Sequence, residues 1–234
     1  MTVADEHDIA LLEDAAEVFG AETDGDLLGT IGDAGTLSFC QNKIFSTGEG
    51  GAVVTDDEEI ARRVKLYRSH GRTTNDYFDS ASSGQYTTLG TNIRMSDITA
   101  ALGCSQLDRV EELISGRQRV ADEYDDMFAD LTGVTPHQPS KGGTHVYQLY
   151  TVELAPHVDR RHVIETLADH DISSKVYWDP PVHQTAHYRE YNPVPELPVT
   201  EDIASRVLSL PMHPNLSDRE VERVTTSVEA AVKN

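Results

Sequence analysis

The sequence predicts an α/β protein with a mixed or parallel sheet in its first part and a smaller α+β module in its second. Short apolar runs at residues 35–39 and 52–55 are bounded by glycines and polar turns, as buried strands usually are. From residue 144 onward, strand and helix patterns alternate, which is typical of a separate α+β module. We therefore place a domain boundary near residue 115, between residues 1–115 and residues 116–234.

The first predicted strand lies close to the N-terminus. Residues 1–8 look like the end of a helix followed by a turn. Residues 9–12 then predict a short buried strand that ends on the acidic pair Glu13–Asp14. That strand needs neighbours in a sheet, and no predicted strand precedes it.

Two helical patterns follow the predicted strands. In residues 56–71, an aspartate can cap the first turn, and Ile60, Val64 and Tyr67 fall on one face. A longer pattern runs from residue 96 to about residue 131, and we expect a break or bend near Ser115–Gly116. Between the two patterns, residues 72–92 are rich in Thr, Ser, Asn and Gly and predict a loop.

The second half is predicted as strand, helix, strand, loop and helix. Residues 145–154 and 172–178 have strand patterns, and residues 160–171 have a helical one. A proline-rich loop follows, and a last helix is predicted to start at Ser217–Asp218. We expect these elements to form one compact α+β unit.

The composition restricts the class of partner. The 234 residues carry a formal net charge of -21, spread through the chain, so nucleic acid is a poor partner. Self-repulsion at this charge leads us to expect a salt-accumulating cytoplasm. No N-terminal basic region with an apolar run and no membrane-length apolar stretch is present, so we expect a soluble cytoplasmic protein. Cys40 and Cys104 are expected to be interior residues without a disulfide.

Asp14 and Lys43 stand out as candidates for chemistry. Each lies at or just beyond the end of an apolar strand, where ligands gather in open α/β sheets. A lysine in such a pocket can form a Schiff base with a carbonyl, and a carboxylate facing it suits a cofactor with a protonatable ring nitrogen. The alternative is a surface ion-pair lysine and an acid in a strand-end turn. A metal site at His183 and His187 is not expected, because prolines precede the pair and an acidic partner is missing.

Four blocks in order carry a family resemblance: "LLEDAAEVFGA", "SFCQNKIFSTGEGGAVVTDD", "LGTNIRMSDITAALGCSQLDRVEELISGR" and "VLSLPMHPNLSDREVERV". The sequence resembles the DegT/StrS sugar aminotransferases, which are pyridoxal-phosphate enzymes. The resemblance implies the fold type I, aspartate-aminotransferase-like fold of PLP-dependent transferases. Residues 1–115 would be the C-terminal part of the cofactor-binding large domain, and residues 116–234 the small C-terminal domain.

The resemblance also implies roles for particular residues. Lys43 would be the catalytic lysine that forms a Schiff base with pyridoxal 5'-phosphate, and Asp14 would pair with the pyridine nitrogen. Ser38 would bind the cofactor phosphate, and Asn92 would reach a phosphate across a homodimer interface. On the substrate side, the segment "KVYWDPPVHQTAHY" places Tyr177 and His183 as candidate contacts.

The implied reaction moves an amino group from an amino acid, glutamate by family habit, to a keto group of a nucleotide-linked sugar, for polysaccharide synthesis. Two departures from the family matter. Glu17 stands where a glutamine or histidine would touch the cofactor ring, and the opening half of the large domain is absent, so we expect a truncated large domain. A late start codon, a split gene with a complementing N-terminal fragment and a remnant all remain open. The rivals are therefore a catalytically silent homologue or subunit and a sugar-binding module.

Overall fold

The computed structural model describes residues 2–73, 84–139, 142–190 and 194–233, so part of the predicted loop at residues 72–92 lies outside them. Within those ranges, no helix combines the length and the apolar character needed to cross a bilayer. The helices are α1 (Thr2–His7), α2 (Glu58–Tyr67), α3 (Asp97–Leu107), α4 (Val110–Phe128), α5 (Arg160–Asp169), α6 (Ala186–Arg189), α7 (Pro198–Arg206) and α8 (Asp218–Val232). The strands are β1 (Leu12–Asp14), β2 (Glu22–Thr23), β3 (Asp26–Leu27), β4 (Ala34–Ser38), β5 (Gly51–Val54), β6 (Val134–Pro136), β7 (Gly143–Thr144), β8 (Tyr150–Leu154) and β9 (Val207–Leu210).

The chain divides into two compact units. The first holds the described residues up to Glu111 together with the segment that ends at Val146. The second holds the remainder, from Glu112. Because α4 begins at Val110, the division falls within its first turn.

The first unit is built on a three-stranded mixed sheet with the order β1-β4-β5. β1 runs parallel to β4, with Asp14 opposite Thr36, and β4 runs antiparallel to β5, with Ser38 opposite Gly51. The predicted strands at residues 35–39 and 52–55 are confirmed as β4 and β5. A small antiparallel sheet of order β3-β2-β7 belongs to the same unit.

The prediction of a buried strand at residues 9–12 was wrong. The strand begins at Leu12, and the side chains of Ile9 and Leu12 are 60% and 67% exposed. The physical reason is position, because β1 is an edge strand with one neighbouring strand among the described residues. An apolar run therefore does not guarantee burial when it lies at a sheet edge.

The helices of the first unit differ in detail from the prediction. Asp57 caps α2 by accepting hydrogen bonds from the amides of Glu59 and Ile60, at 2.7 and 3.0 Å. The buried residue of α2 is Leu66, whereas Tyr67, predicted to share one face with Ile60 and Val64, is exposed. On α3, Cys104 is exposed and not interior as expected.

The long helical pattern is two helices, and the predicted break near Ser115–Gly116 was wrong. The chain leaves the helix after Leu107, and α4 starts at Val110. Gly116 lies inside α4, where an added Cβ would be 2.7 Å from the Cβ of Pro214. This glycine therefore permits close packing and does not bend the helix.

The second unit packs helices α4, α5 and α8 around an antiparallel sheet of order β6-β8-β9. Ser217 caps α8 in a capping box with Glu220, which confirms the predicted start of the last helix. The strand predicted at residues 172–178 was wrong, because its pairing is a single bridge between Lys175 and Ser209. The core contains fully buried side chains from every one of these elements except β6, among them Val120, Tyr124, Val152, Leu167, Leu208 and Val228.

Candidate active site

Parallel pairing brings two strand ends of the first unit to the same sheet edge. Asp14 is the last residue of β1, and Ser38 is the last residue of β4. After β1 the chain turns, with the Val18 amide donating to the Ala15 carbonyl at 3.3 Å. After β4 it turns again, with the Lys43 amide donating to the Cys40 carbonyl at 3.0 Å. Ligands in open α/β sheets bind at this carboxyl edge.

Lys43 meets a carboxylate in this position. Its Nζ lies 2.5 Å from Oε1 of Glu17, which belongs to the turn after β1. The lysine side chain is 12% exposed and that of the glutamate 55%. Sequence reasoning set Glu17 aside as a departure, because its contact with Lys43 depends on the long-range pairing of β1 with β4.

An aromatic cluster of Phe19, Phe39 and Phe45 joins the two turns. The Phe45 ring stacks on Phe19 at a centroid distance of 4.7 Å and an angle of 14°. It meets Phe39 edge-on, also at 4.7 Å, with an angle of 74°. Phe19 follows Glu17, whereas Phe39 and Phe45 flank Lys43, so the cluster fixes the backbone on both sides of the ion pair.

Asp14 and Ser38 are oriented by their own turns. The Ala16 amide donates to Oδ1 of Asp14 at 3.2 Å. The Cys40 amide donates to Oγ of Ser38 at 3.4 Å. These local contacts fix one oxygen of each side chain against the backbone that follows its own strand.

Glu13 organises the loop beside β1. Its carboxylate accepts hydrogen bonds from the amides of Gly29, Ile31 and Gly32, at 2.8, 2.7 and 2.7 Å. Burial alone would raise the pKa of Glu13, but these three amides outweigh it and lower the pKa below its usual value of 4.5. Sequence reasoning did not find this anchor.

Asn92 is positioned by contacts with the end of α2. The Thr91 amide donates to the Tyr67 carbonyl at 2.7 Å, and the Ile93 amide to that of Arg68 at 3.2 Å. Three residues later, the Cε of Met95 would lie 2.8 Å from a Cβ added to Gly50, whose φ is +152°. The segment after Asn92 thus packs against the residue that leads into β5.

Tyr177 and His183 belong to the second unit and line a groove of about 930 Å³. His183 Nε2 lies 3.0 Å from Oε1 of Glu201, and this hydrogen bond is the main cause that lowers the pKa of Glu201. The groove also carries the exposed ring of Trp178, whose centroid lies 4.6 Å from that of the Tyr177 ring. Within the described ranges, no group of three or more His, Cys, Asp or Glu side chains is arranged to hold a metal ion.

Known proteins resemble nearly the whole of this chain. Residues 1–229 match the model of the DegT/DnrJ/EryC1/StrS aminotransferase family. GDP-perosamine synthase of Caulobacter vibrioides is 34% identical over 98% of this chain and 60% of its own length. The values are the same for dTDP-4-dehydro-2,3,6-trideoxy-D-glucose 4-aminotransferase of Saccharopolyspora spinosa. The chain thus spans about 60% of the length of these curated relatives.

Solved structures show the same likeness. PseC of Helicobacter pylori, an aminotransferase involved in the biosynthesis of pseudoaminic acid, superposes with a TM-score of 0.92 at 30% identity. The match covers 99% of this chain and 62% of PseC. DesV of S. venezuelae, solved in complex with a ketimine intermediate, has a TM-score of 0.88 at 30% identity, covering 100% of this chain and 60% of DesV.

Proposed function

We propose that this chain, which belongs to the DegT/DnrJ/EryC1/StrS aminotransferase family, acts as a pyridoxal-phosphate-dependent sugar aminotransferase. The reaction would move an amino group from an amino acid, glutamate in our proposal, to a keto group of a nucleotide-linked sugar. Relatives named for a GDP-sugar synthase and for aminotransferases of dTDP- and UDP-linked sugars support this substrate class. A role in polysaccharide precursor synthesis is supported by the relative SpsC of Bacillus subtilis, a spore coat polysaccharide biosynthesis protein.

The observation that carries the proposal is the shielded amine of Lys43 at the sheet edge that also holds Asp14 and Ser38. An amine, a carboxylate and a hydroxyl are the donor set that pyridoxal phosphate needs for its aldehyde, its ring nitrogen and its phosphate. When bound, this cofactor supplies an electron sink for the carbon that exchanges its amino group. The residues present therefore fit the group.

Each residue then has a defined task. Lys43 would bond the cofactor aldehyde through Nζ and later move a proton to or from the reacting carbon of the substrate. Asp14 would keep the ring nitrogen protonated, because a nearby carboxylate favours the charged form. Ser38 would donate its hydroxyl hydrogen to the phosphate.

The groove of the second unit is the proposed substrate-side surface. Glu201 holds the His183 ring by a hydrogen bond, so the imidazole is presented in one orientation. The aromatic faces of Tyr177 and Trp178 can stack on a flat group of the substrate.

A second copy of the chain is the proposed partner. Ile98, Leu102 and Leu107 are exposed apolar side chains on α3, and Ile98 is 86% exposed. Such residues favour association through an apolar surface. A sedimentation mass of one chain at high protein concentration would overturn the homodimer, and with it the proposal that Asn92 reaches a phosphate across the interface.

The cytoplasmic location stays a prediction.

The decisive experiment mixes the full chain, in molar KCl, with pyridoxal phosphate and reduces the mixture with borohydride. We expect the label on the peptide that contains Lys43, and loss of that label in Lys43→Ala. Lys65→Ala, which removes an exposed lysine on α2, is the matched control and should label as the wild type does. Folded protein without label would instead support the rival, a catalytically silent subunit.

A further inference from the structure

Among the described residues, the backbone of β1 is paired on one edge only. Ala15, just after the strand, donates its amide to the Thr36 carbonyl at 2.9 Å, so this amide faces β4. The Glu13 carbonyl faces the same way, since it accepts a hydrogen bond from the Thr36 hydroxyl at 3.2 Å. Neighbouring residues of a strand direct their backbone groups to opposite edges. The amides and carbonyls of Leu12 and Asp14 therefore point away from β4, to the open edge of the sheet.

An apolar run lies along this open edge. Residues 9–12, "IALL", are all exposed or half-buried, and the side chains of Ile9 and Leu12 are 60% and 67% exposed. Edge strands that stay unpaired commonly carry a proline or a lysine, and residues 9–14 contain neither. Open backbone groups beside exposed apolar side chains are the two features that an added strand uses when it docks. This edge is therefore suited to accept a strand.

The charge near the edge restricts what can dock there. The first 42 residues hold ten Asp and Glu residues and no Lys or Arg. Among them, Asp5, Glu6 and Asp8 directly precede the apolar run, and all three are exposed. A second copy would bring the same acids to this edge, and like charges on paired strands are destabilising. A strand with basic residues at its ends would instead meet opposite charge.

We propose that the open edge of β1 binds a strand of another polypeptide that is apolar in its centre and carries Lys or Arg at its ends. The backbone of that strand pairs with Leu12 and Asp14, and its apolar side chains cover Ile9 and Leu12. Its basic ends face acids such as Asp8. No contact in this proposal involves the Lys43 amine, so it stands or falls independently of the proposed cofactor chemistry.

The test uses the full chain and a synthetic peptide of alternating valine and threonine with two lysines at each end. Hydrogen exchange of single amides is followed by NMR, at the lowest KCl concentration that keeps the chain folded. With peptide at about ten times its measured Kd, the Leu12 and Asp14 amides should exchange about tenfold more slowly, because few open edges remain. The amides of Glu13 and Ala15 face β4 and should change little. Equal slowing of all four amides would overturn the proposal, since general stabilisation produces it.

Two variants locate the peptide on the sheet. Leu12→Lys places a cation at the open edge and should weaken peptide binding about tenfold. Val53→Lys is the matched control, because Val53 is 41% exposed on β5, the strand at the opposite end of the sheet order. This control should bind the peptide as the wild type does. Weaker binding in Val53→Lys with unchanged binding in Leu12→Lys would overturn the assignment to β1.

Altered peptides separate charge from backbone pairing. A peptide with glutamates in place of the lysines should bind about tenfold more weakly. A peptide with N-methylated central amides should leave the exchange of Leu12 and Asp14 unchanged, because it cannot pair as a strand. Equal effects of the altered and original peptides would overturn the proposal.

A second copy of the chain is the competing occupant of this edge. Its signature is slower exchange of the Leu12 and Asp14 amides as the protein concentration rises without peptide. That result would assign the edge to self-association and overturn the proposal. We expect the exchange of both amides to be independent of protein concentration.

Discussion

Glu13 shows how one side chain shapes the surroundings of the sheet edge. It precedes Asp14, but its carboxylate turns to the other side of β1 and accepts three amides of the loop at residues 29–32. A strand alternates its side chains between two faces, so Asp14 is directed away from that loop. The anchor and the proposed ligand are thus neighbours in sequence with separate tasks.

We expect Glu13→Gln to lower the free energy of unfolding by about 1–3 kcal/mol at neutral pH, because three partly buried amides lose a charged acceptor. The folded pKa of Glu13 lies below 4.5, so its contribution is present above that pH and is lost as the pH falls through the folded pKa. Urea unfolding of both proteins between pH 7 and pH 3 measures this. A difference that stays constant across the range would contradict the assignment.

The ion pair of Lys43 and Glu17 marks the limit of residue-level prediction. The motif around Lys43 is local, so the sequence indicates the lysine directly. Its partner is brought there by the parallel pairing of β1 with β4, which no local pattern around Glu17 reveals. The roles assigned to Asp14, Ser38 and Asn92 stay predictions for a different reason, since each role depends on contacts with a bound cofactor.

At the scale of elements, the phenylalanine cluster connects packing to the site. Phe45 contacts the rings of Phe19 and Phe39, and these three side chains span both turns that carry the ion pair. Removing one ring should loosen the backbone on both sides of Lys43. Packing here therefore controls where a charged group lies.

We expect Phe45→Ala to lower the stability of the first unit by about 3–5 kcal/mol. We also expect it to increase the rate at which formaldehyde and cyanoborohydride methylate Lys43. Leu66→Ala is the matched control, since Leu66 and Phe45 are similarly buried, at 7% and 6% exposure. That variant should lower stability without raising the rate at Lys43 in folded protein. Equal rates in the two variants would show that the cluster does not hold the ion pair.

The elements predicted correctly have unambiguous local signals. β4 and β5 are short apolar runs between glycines, and α8 begins at a serine with a glutamate three residues later. β9 and α7 were missed, because the apolar run "VLSL" is short and directly follows a helix. The break between α3 and α4 has no proline or glycine at Asp108 or Arg109, so its position could not be predicted.

At the scale of the whole molecule, charge is the dominant feature. The difference between 19 basic and 40 acidic residues leaves a net charge of -21. Repulsion between these charges acts over about 10 Å at 0.1 M salt and about 3 Å at 1 M. The electrostatic cost of bringing like charges together in the compact fold is therefore lower in concentrated salt.

We expect the melting temperature to rise between 0.1 and 2 M KCl, because screening reduces self-repulsion in the folded state. Differential scanning calorimetry of the full chain measures this, with sucrose as a control that does not screen charge. A melting temperature independent of KCl would contradict the salt-adapted interpretation.

The order of strands in the second unit governs when this unit can fold during synthesis. β8 lies between β6 and β9, and its residue Tyr150 pairs with Leu210. The core is completed by side chains of α8 such as Val228. A nascent chain grows at about 5–20 residues per second, so its central strand waits several seconds for β9 and α8 to leave the ribosome. Until then, β8 has a paired neighbour on its β6 side alone, and the core positions that β9 and α8 fill stay uncovered.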